Sequence, residues 1–222
     1  MFDFKRILRA WRAEGLISRM YNEFEEMLDI AAEMLDRARS TLSGEMSPES
    51  LWDLMRARDK EINRTQRLIR RQLVEFLTVN EGVDIPACLI LMSIVKDAER
   101  LGDYASYLFK SAYICRDAAK TEGFAEEIDR LWSEVASMMA EGRKALHESD
   151  EELARSVMER ENPIKDGCDA MLQKAAGSHV APERIVVVTL ISRYLRRLAG
   201  HTANIASSVV NPVERLDYKP KD

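Results

Sequence analysis

Apolar residues recur three and four positions apart over nearly the whole chain, and a chain with that spacing can bury them together only as helices. Over residues 14–43 the pattern runs through Leu16, Ile17, Met20, Tyr21, Phe24, Met27, Leu28, Ile30, Ala31, Met34, Leu35 and Leu42. This is the apolar stripe of an amphipathic helix; a half-buried strand would instead alternate at every second residue. The chain has only 9 Gly and 6 Pro, too few turn residues for an all-β fold.

The few breaks are well placed. Gly44 stops the first long pattern, and Ser47-Pro48 reads as an N-cap followed by proline at the first helical position. The second helix then runs to about Val79, with Leu51, Leu54, Met55, Ile62, Leu68, Ile69, Leu73, Phe76 and Leu77 facing inward. Residues 80–84 form a turn. Pro86 opens a third helix whose inner face carries Leu89, Met92, Val95, Leu101, Ala105, Leu108 and Phe109. Residues 120–123 are the best boundary candidate, because the pattern then begins again: helices over 124–146, over 151–176, and from Ala181-Pro182 to about Val210, where Asn211-Pro212 ends the last. Each long helix holds roughly 25–30 residues, hence about 40 Å of length.

Matching lengths and a proline-started third helix in each half point to duplication. The expected fold is all-α: six long antiparallel helices as two tandem three-helix-bundle repeats, plus a short N-terminal helix. The expected division is an amphipathic extension (1–13), repeat one (14–118), repeat two (123–212) and a polar tail (213–222).

A formal net charge of −5 argues against nucleic-acid binding driven by bulk charge. The first residues mix charges with apolar side chains and do not form a signal peptide. The most apolar run, 185–191, is too short to span a bilayer. Cys88, Cys115 and Cys168 lack CxxC spacing and read as reduced thiols, with Cys168 a small apolar filler. The expected location is the cytoplasm, with at most peripheral membrane contact.

Four charged or polar positions do not suit a plain bundle. Glu99 and Asp103, in Glu99-Arg-Leu-Gly-Asp103, lie four apart on one helix face, where like charges repel. Asp59 and Asn63 form a similar pair on the preceding helix. If the two helices are antiparallel, Asp59, Asn63, Glu99 and Asp103 face each other as an oxygen-rich cluster. Such a cluster suits a hard cation: Mg, Ca, Mn or iron. No histidine lies near them in sequence, which argues against zinc. The alternative is a solvated acidic face. Gly102 beside them costs about 1 kcal/mol of helix propensity, which a close helix approach would explain.

These strings resemble the PhoU family of phosphate-uptake regulators, which carry an acidic E/D-x-x-x-D motif in each of two three-helix repeats. Glu99-Arg-Leu-Gly-Asp103-Tyr-Ala105 is similar to the family's E-R-I-G-D-H-A. Asp59-Lys-Glu-Ile-Asn63 resembles the partner motif, with Asn63 where an acid is usual. In the second half, residues 193–206 resemble R-Y-L-E-R-I-G-D-H-A-T-N-I-A, and Arg197, His201, Asn204 and Ile205 agree. Arg196 and Gly200 stand where Glu and Asp are expected. Glu161 keeps its acid on the fifth helix, and Lys165 replaces one. A divalent cation beside Lys165 and Arg196 would be repelled. The expectation is therefore one metal cluster, in repeat one, with Glu161, Lys165, Arg196 and Gly200 holding no metal and Lys165 or Arg196 pairing with Glu161.

The resemblance implies a regulator without enzymatic activity. Its implied partners are a phosphate ABC transporter, a sensor histidine kinase, or both, and a homo-oligomer is implied as well. The motifs of nucleophilic and phosphate-loop enzymes are missing from the sequence. The alternatives are a metal-storage or metal-sensing bundle and an adaptor for another transporter.

Other features have bland and sharp readings. Phe2, Phe4, Ile7, Leu8 and Trp11, interleaved with Lys5, Arg6, Arg9 and Arg12, form either a short helix packed on the bundle or one lying on a membrane; the packed reading is favoured. Arg67, Arg70 and Arg71, and Arg193, Arg196 and Arg197, are solvated faces paired with acids, or sites for phosphate or an acidic partner. His201 is expected to be a hydrogen-bonded helix residue, and His147 and His179 fall near helix ends. Pro163 should kink or break the fifth long helix.

Overall fold

In a computed structural model of the chain, residues 3–13, 15–80, 84–114, 121 and 123–217 are described. They form α1 (Phe4–Arg12), α2 (Leu16–Leu42), α3 (Pro48–Val79), α4 (Ile85–Ile114), α5 (Ala125–Glu148), α6 (Glu151–Ala176) and α7 (Pro182–Val210), followed by a 3-10 turn at Val213–Arg215. The expected all-α fold of two three-helix repeats with a short leading helix is the fold observed. No described helix is long and apolar enough to cross a membrane. Residues 120 and 122 of the boundary candidate at 120–123 lie outside the described residues, as does Cys115.

The helix ends follow from local chemistry. Ser47 caps α3 by accepting from the Ser50 amide, and Pro48 follows it. Asp150 caps α6 in the same way through the Leu153 amide. Gly44 takes φ +79°, the left-handed turn that ends the α2 path. α6 continues through Pro163 without a break, although the ring removes one backbone donor from the helix.

Helices α2, α4, α7 and α5 pack in a closed ring, with α3 outside against α2 and α4, and α6 outside against α5 and α7. One apolar core runs through both repeats. α4 and α7, where the repeats meet, are buried nearly all round, not along one stripe. In α4 this takes in Ala87, Cys88, Ile90, Leu91, Ile94, Val95, Ala98, Leu101, Ala105, Leu108 and Phe109. Leu89 departs from expectation: it is 43% exposed, at the bundle end beside Ile85 and Pro212. The C-terminal segment is also less polar in its role than expected, since Leu216 is buried and Val213 packs on the core.

α1 is a packed element. Phe4, Ile7, Leu8 and Trp11 are all buried. The Trp11 indole donates to the Ala87 carbonyl at 3.0 Å and stacks on Tyr21 at 5.1 Å. These four apolar side chains are therefore spent inside the molecule, and Phe2 lies outside the described residues.

Candidate functional site

α3 and α4 approach closely at Gly102. A Cβ at that position would stand 2.5 Å from Ile62 Cδ1, so glycine is what lets the two helices meet there. This contact brings Asp59 of α3 near Glu99 and Asp103 of α4, with Asn63 one turn further along α3. Asp59, Glu99 and Asp103 feel one another's charge. Burial and then Asp103 push the Glu99 carboxyl above its usual value, with Asp59 adding to the rise and Arg100 and Arg70 opposing it. Asp103 is raised chiefly by burial, which outweighs Arg100, and Asp59 raises it further.

Arg100, absent from the sequence reading of this cluster, holds these acids. Its guanidinium donates to Asp103 Oδ2 at 2.6 Å and lies 3.4 Å from Glu99 Oε2. Glu99 Oε2 is buried and has no hydrogen-bond partner. Asn63 turns its amide nitrogen back to the Asp59 carbonyl at 2.9 Å, leaving its side-chain oxygen as the atom it can offer. Charge repulsion and a buried oxygen that lacks a hydrogen bond fit a cation. The geometry is not closed on one: among the described residues no three His, Cys, Asp or Glu side chains stand together at metal-binding distance.

The second repeat is built differently at the same place. Lys165 pairs with Glu161 one turn away on α6. Arg196 pairs with Asp169 of the same repeat. With Gly200, Arg197, His201 and Asn204 they line an open cleft of about 310 Å³.

Between the two sites, α4 and α7 meet through polar and aromatic groups. Asp97, fully buried, accepts from His201 Nδ1 at 2.7 Å and from the Asn204 amide at 3.2 Å, with Lys96 Nζ 3.6 Å away. Its Oδ2 has no hydrogen-bond partner. Tyr194 of α7 packs on Tyr104 and Tyr107 of α4 at ring-centre distances of 6.0 and 5.5 Å. Aligning Glu99 with Arg196 and Asp103 with Gly200 makes Asp97, Tyr104 and Tyr107 the counterparts of Tyr194, His201 and Asn204. The two sets of contacts are then the same contacts, related by a local two-fold axis. Tyr104 and His201 stack on each other at 5.6 Å where that axis passes.

The internal repeat is thus visible in side-chain contacts as well as in helix order, and the comparisons with known proteins agree with it. The PhoU domain family matches at residues 24–112 and again at 128–209. The chain belongs to the PhoU family. It is 28% identical over 164 residues to a phosphate-specific transport system accessory protein PhoU homologue of Synechocystis sp., covering 68% of this chain and 69% of that protein. A PhoU homologue of the same description from Pseudomonas aeruginosa is 26% identical over 168 residues, covering 72% of this chain and 69% of that one. The crystal structure of PhoU from Pseudomonas aeruginosa superposes with a TM-score of 0.81 at 22% identity, covering 87% of this chain and 95% of the other. That of the phosphate transport system regulatory protein PhoU from Streptococcus pneumoniae gives 0.76 at 21% identity, covering 87% and 92%. These two likenesses establish the fold.

The sequence singled out the acids of repeat one and the substitutions of repeat two. It missed Arg100 and Asp97. A signal for Asp97 was there: it lies three residues after Ile94 and four before Leu101, inside the buried stripe, where an acid requires a partner.

Proposed function

We propose that this chain is a non-enzymatic regulator of phosphate transport and phosphate-starvation signalling. It acts by contact with a phosphate transport system, at an ABC transporter, a sensor histidine kinase, or both. The observation that carries this reading is the family match across both repeats, together with relatives described as accessory proteins of phosphate-specific transport. A ring of buried helices is a rigid support for surfaces that meet partners. The setting is the cytoplasm at the inner face of the membrane, as a homo-oligomer. A pull-down from native membranes should recover the phosphate transporter or kinase, and deletion of the gene should deregulate phosphate uptake. Recovery of an unrelated transporter, with uptake unchanged, would overturn the proposal.

A hard cation in repeat one belongs to the same reading. Asp59, Glu99 and Asp103, with the Asn63 oxygen, would hold it, and it would neutralise the repulsion that Arg100 now offsets. Its contribution would be to tie α3 to α4. A metal-sensing bundle is the second reading, favoured by the buried Glu99 oxygen that has an ion pair but no hydrogen bond. Elemental analysis of the purified protein should find one metal ion per chain, lost on Glu99→Ala plus Asp103→Ala. Metal retained by that variant would remove both forms of the idea.

A further inference from the structure

The pseudo-two-fold places the repeat-two cleft where repeat one has its acids, with the charges reversed. Around Asp59, Glu99 and Asp103 there are three carboxylates, with the Arg100 guanidinium bound to two of them and that of Arg70 near Glu99. The counterparts of Asp59, Glu99, Asp103 and Arg100 in repeat two are Glu161, Arg196, Gly200 and Arg197, and Lys165 stands in the place of Asn63. The cleft is therefore lined by three cations and one carboxylate. Random loss of a metal site would neutralise it; here the site has changed sign.

The donors converge from two helices. Arg196, Arg197, Gly200, His201 and Asn204 recur at one- and three- to four-residue steps on one face of α7, and Lys165 faces them from α6. Glu161 is engaged by Lys165 and Arg196 by Asp169, but an ammonium has three donors and a guanidinium five, so both keep N–H groups to offer. Arg197 makes no ion pair among the described residues and is exposed at the cleft mouth. Asp97 lies behind, already accepting from His201 and Asn204. Gly200 keeps the floor open: a Cβ there would meet only Glu161 Oε1, at 3.5 Å. A space of about 310 Å³ is at the small end of the ~300–1,000 Å³ typical of ligand sites.

We propose that this cleft binds a small tetrahedral oxyanion, of which inorganic phosphate is the natural probe, between Lys165 on α6 and Arg196 and Arg197 on α7. Planar guanidinium forks match the paired oxygens of such an ion, and the lysine adds a point charge. The site is separate from the cation site considered for repeat one and stands whether or not that site is occupied.

Calorimetric titration of the intact protein with inorganic phosphate tests it, with the ring resonances of His201 as a local reporter. The expected result is one site per chain, competed by sulfate, with the His201 signals shifting in step. Arg197→Ala, which breaks no internal ion pair, should weaken binding about tenfold, the equivalent of one charge-assisted hydrogen bond. Gly200→Asp fits the available space and should abolish binding by restoring a carboxylate, whereas Glu99→Gln should leave it unchanged. No heat at millimolar phosphate would overturn the proposal, as would binding indifferent to both cleft variants. Broadening of the His201 signals by manganese at low concentration would overturn it too, since the cleft would then hold a cation. Vesicles carrying phosphatidylglycerol form the last arm: retention that depends on Arg197, with no response to the free ion, would assign the cleft to a lipid headgroup and end the case for free phosphate.

Discussion

At the scale of single residues, the acids of repeat one give the folded state a cost at neutral pH. Glu99 and Asp103 are both raised by burial, so the folded chain holds their protons more tightly than the unfolded chain does. Stability from this source is greatest below the unfolded carboxylate values and is lost as pH rises through the raised folded values. Glu99→Gln keeps the shape and removes the charge. In the metal-free protein it should raise Tm at neutral pH by roughly 2–4 °C, a shift that corresponds to ~1 kcal/mol in a chain of this size. Thermal scans from neutral to acid pH should show the gain vanish once the wild-type carboxyl is protonated. Gly102 offers a second test. Alanine there gains about 1 kcal/mol of helix propensity but drives a Cβ to 2.5 Å from Ile62 Cδ1. The far end of an isoleucine can be trimmed, so Gly102→Ala should be better tolerated in an Ile62→Val background than in the wild type. A double-mutant cycle in urea should show about 0.5–3 kcal/mol of favourable coupling.

Helices can be read from sequence when one face is buried, and less well when several are. The ends of α3, α6 and α7 follow from Ser47-Pro48, Asp150 and Ala181-Pro182, because caps and prolines act within a single turn. α4 was harder. A helix that contacts α1, α2, α3 and α7 has no single stripe, so an inward face chosen by periodicity took in Leu89, which is exposed, and left out Asp97, which is not. The acidic cluster shows the same limit: spacing placed Glu99 and Asp103 on one face, but nothing in the spacing shows that the Arg100 side chain reaches both. α1 has its own prediction. Trp11 is completely buried, between Phe4 and Tyr21, and its N–H is satisfied by α4. Trp11→Ala should cost about 3–5 kcal/mol in denaturant unfolding. A cost below ~1 kcal/mol would mean that α1 is not docked in solution. At the same end, against α1, Ser149 closes α5 with φ +55° and carries a buried hydroxyl that has no hydrogen bond. Ser149→Gly relieves both and should raise stability by roughly 1 kcal/mol, measurable as a higher urea midpoint.

The whole molecule is two copies of one plan joined along α4 and α7, and the join itself is asymmetric. One half of the two-fold contact is aromatic, Tyr194 against Tyr104 and Tyr107. The other half is polar, Asp97 against His201 and Asn204. Substitutions at matched positions have thus made the copies chemically distinct at their shared centre as well as at their outer clefts. A join that includes a fully buried carboxylate is sensitive to losing a partner: His201→Ala leaves Asp97 with Asn204 and Lys96 alone, and losing a buried hydrogen-bond partner costs about 1–3 kcal/mol. How that loss appears depends on whether the repeats unfold as a unit. The apolar core is continuous through both, and α2 and α5 are also tied across the join, Arg143 to Asp29 and His147 to Glu25. Those outer ion pairs are exposed and contribute little, so the buried α4–α7 contact is what couples the copies. Calorimetry of the wild type should therefore give one transition, and His201→Ala should move the whole of it down without splitting it. Adding Asp97→Ala should recover part of the loss, because the stranded carboxylate is then gone. Two separate peaks in the wild type, or a His201→Ala effect on hydrogen exchange restricted to residues 125–210, would show instead that each repeat is stable on its own and that the join only holds finished bundles together.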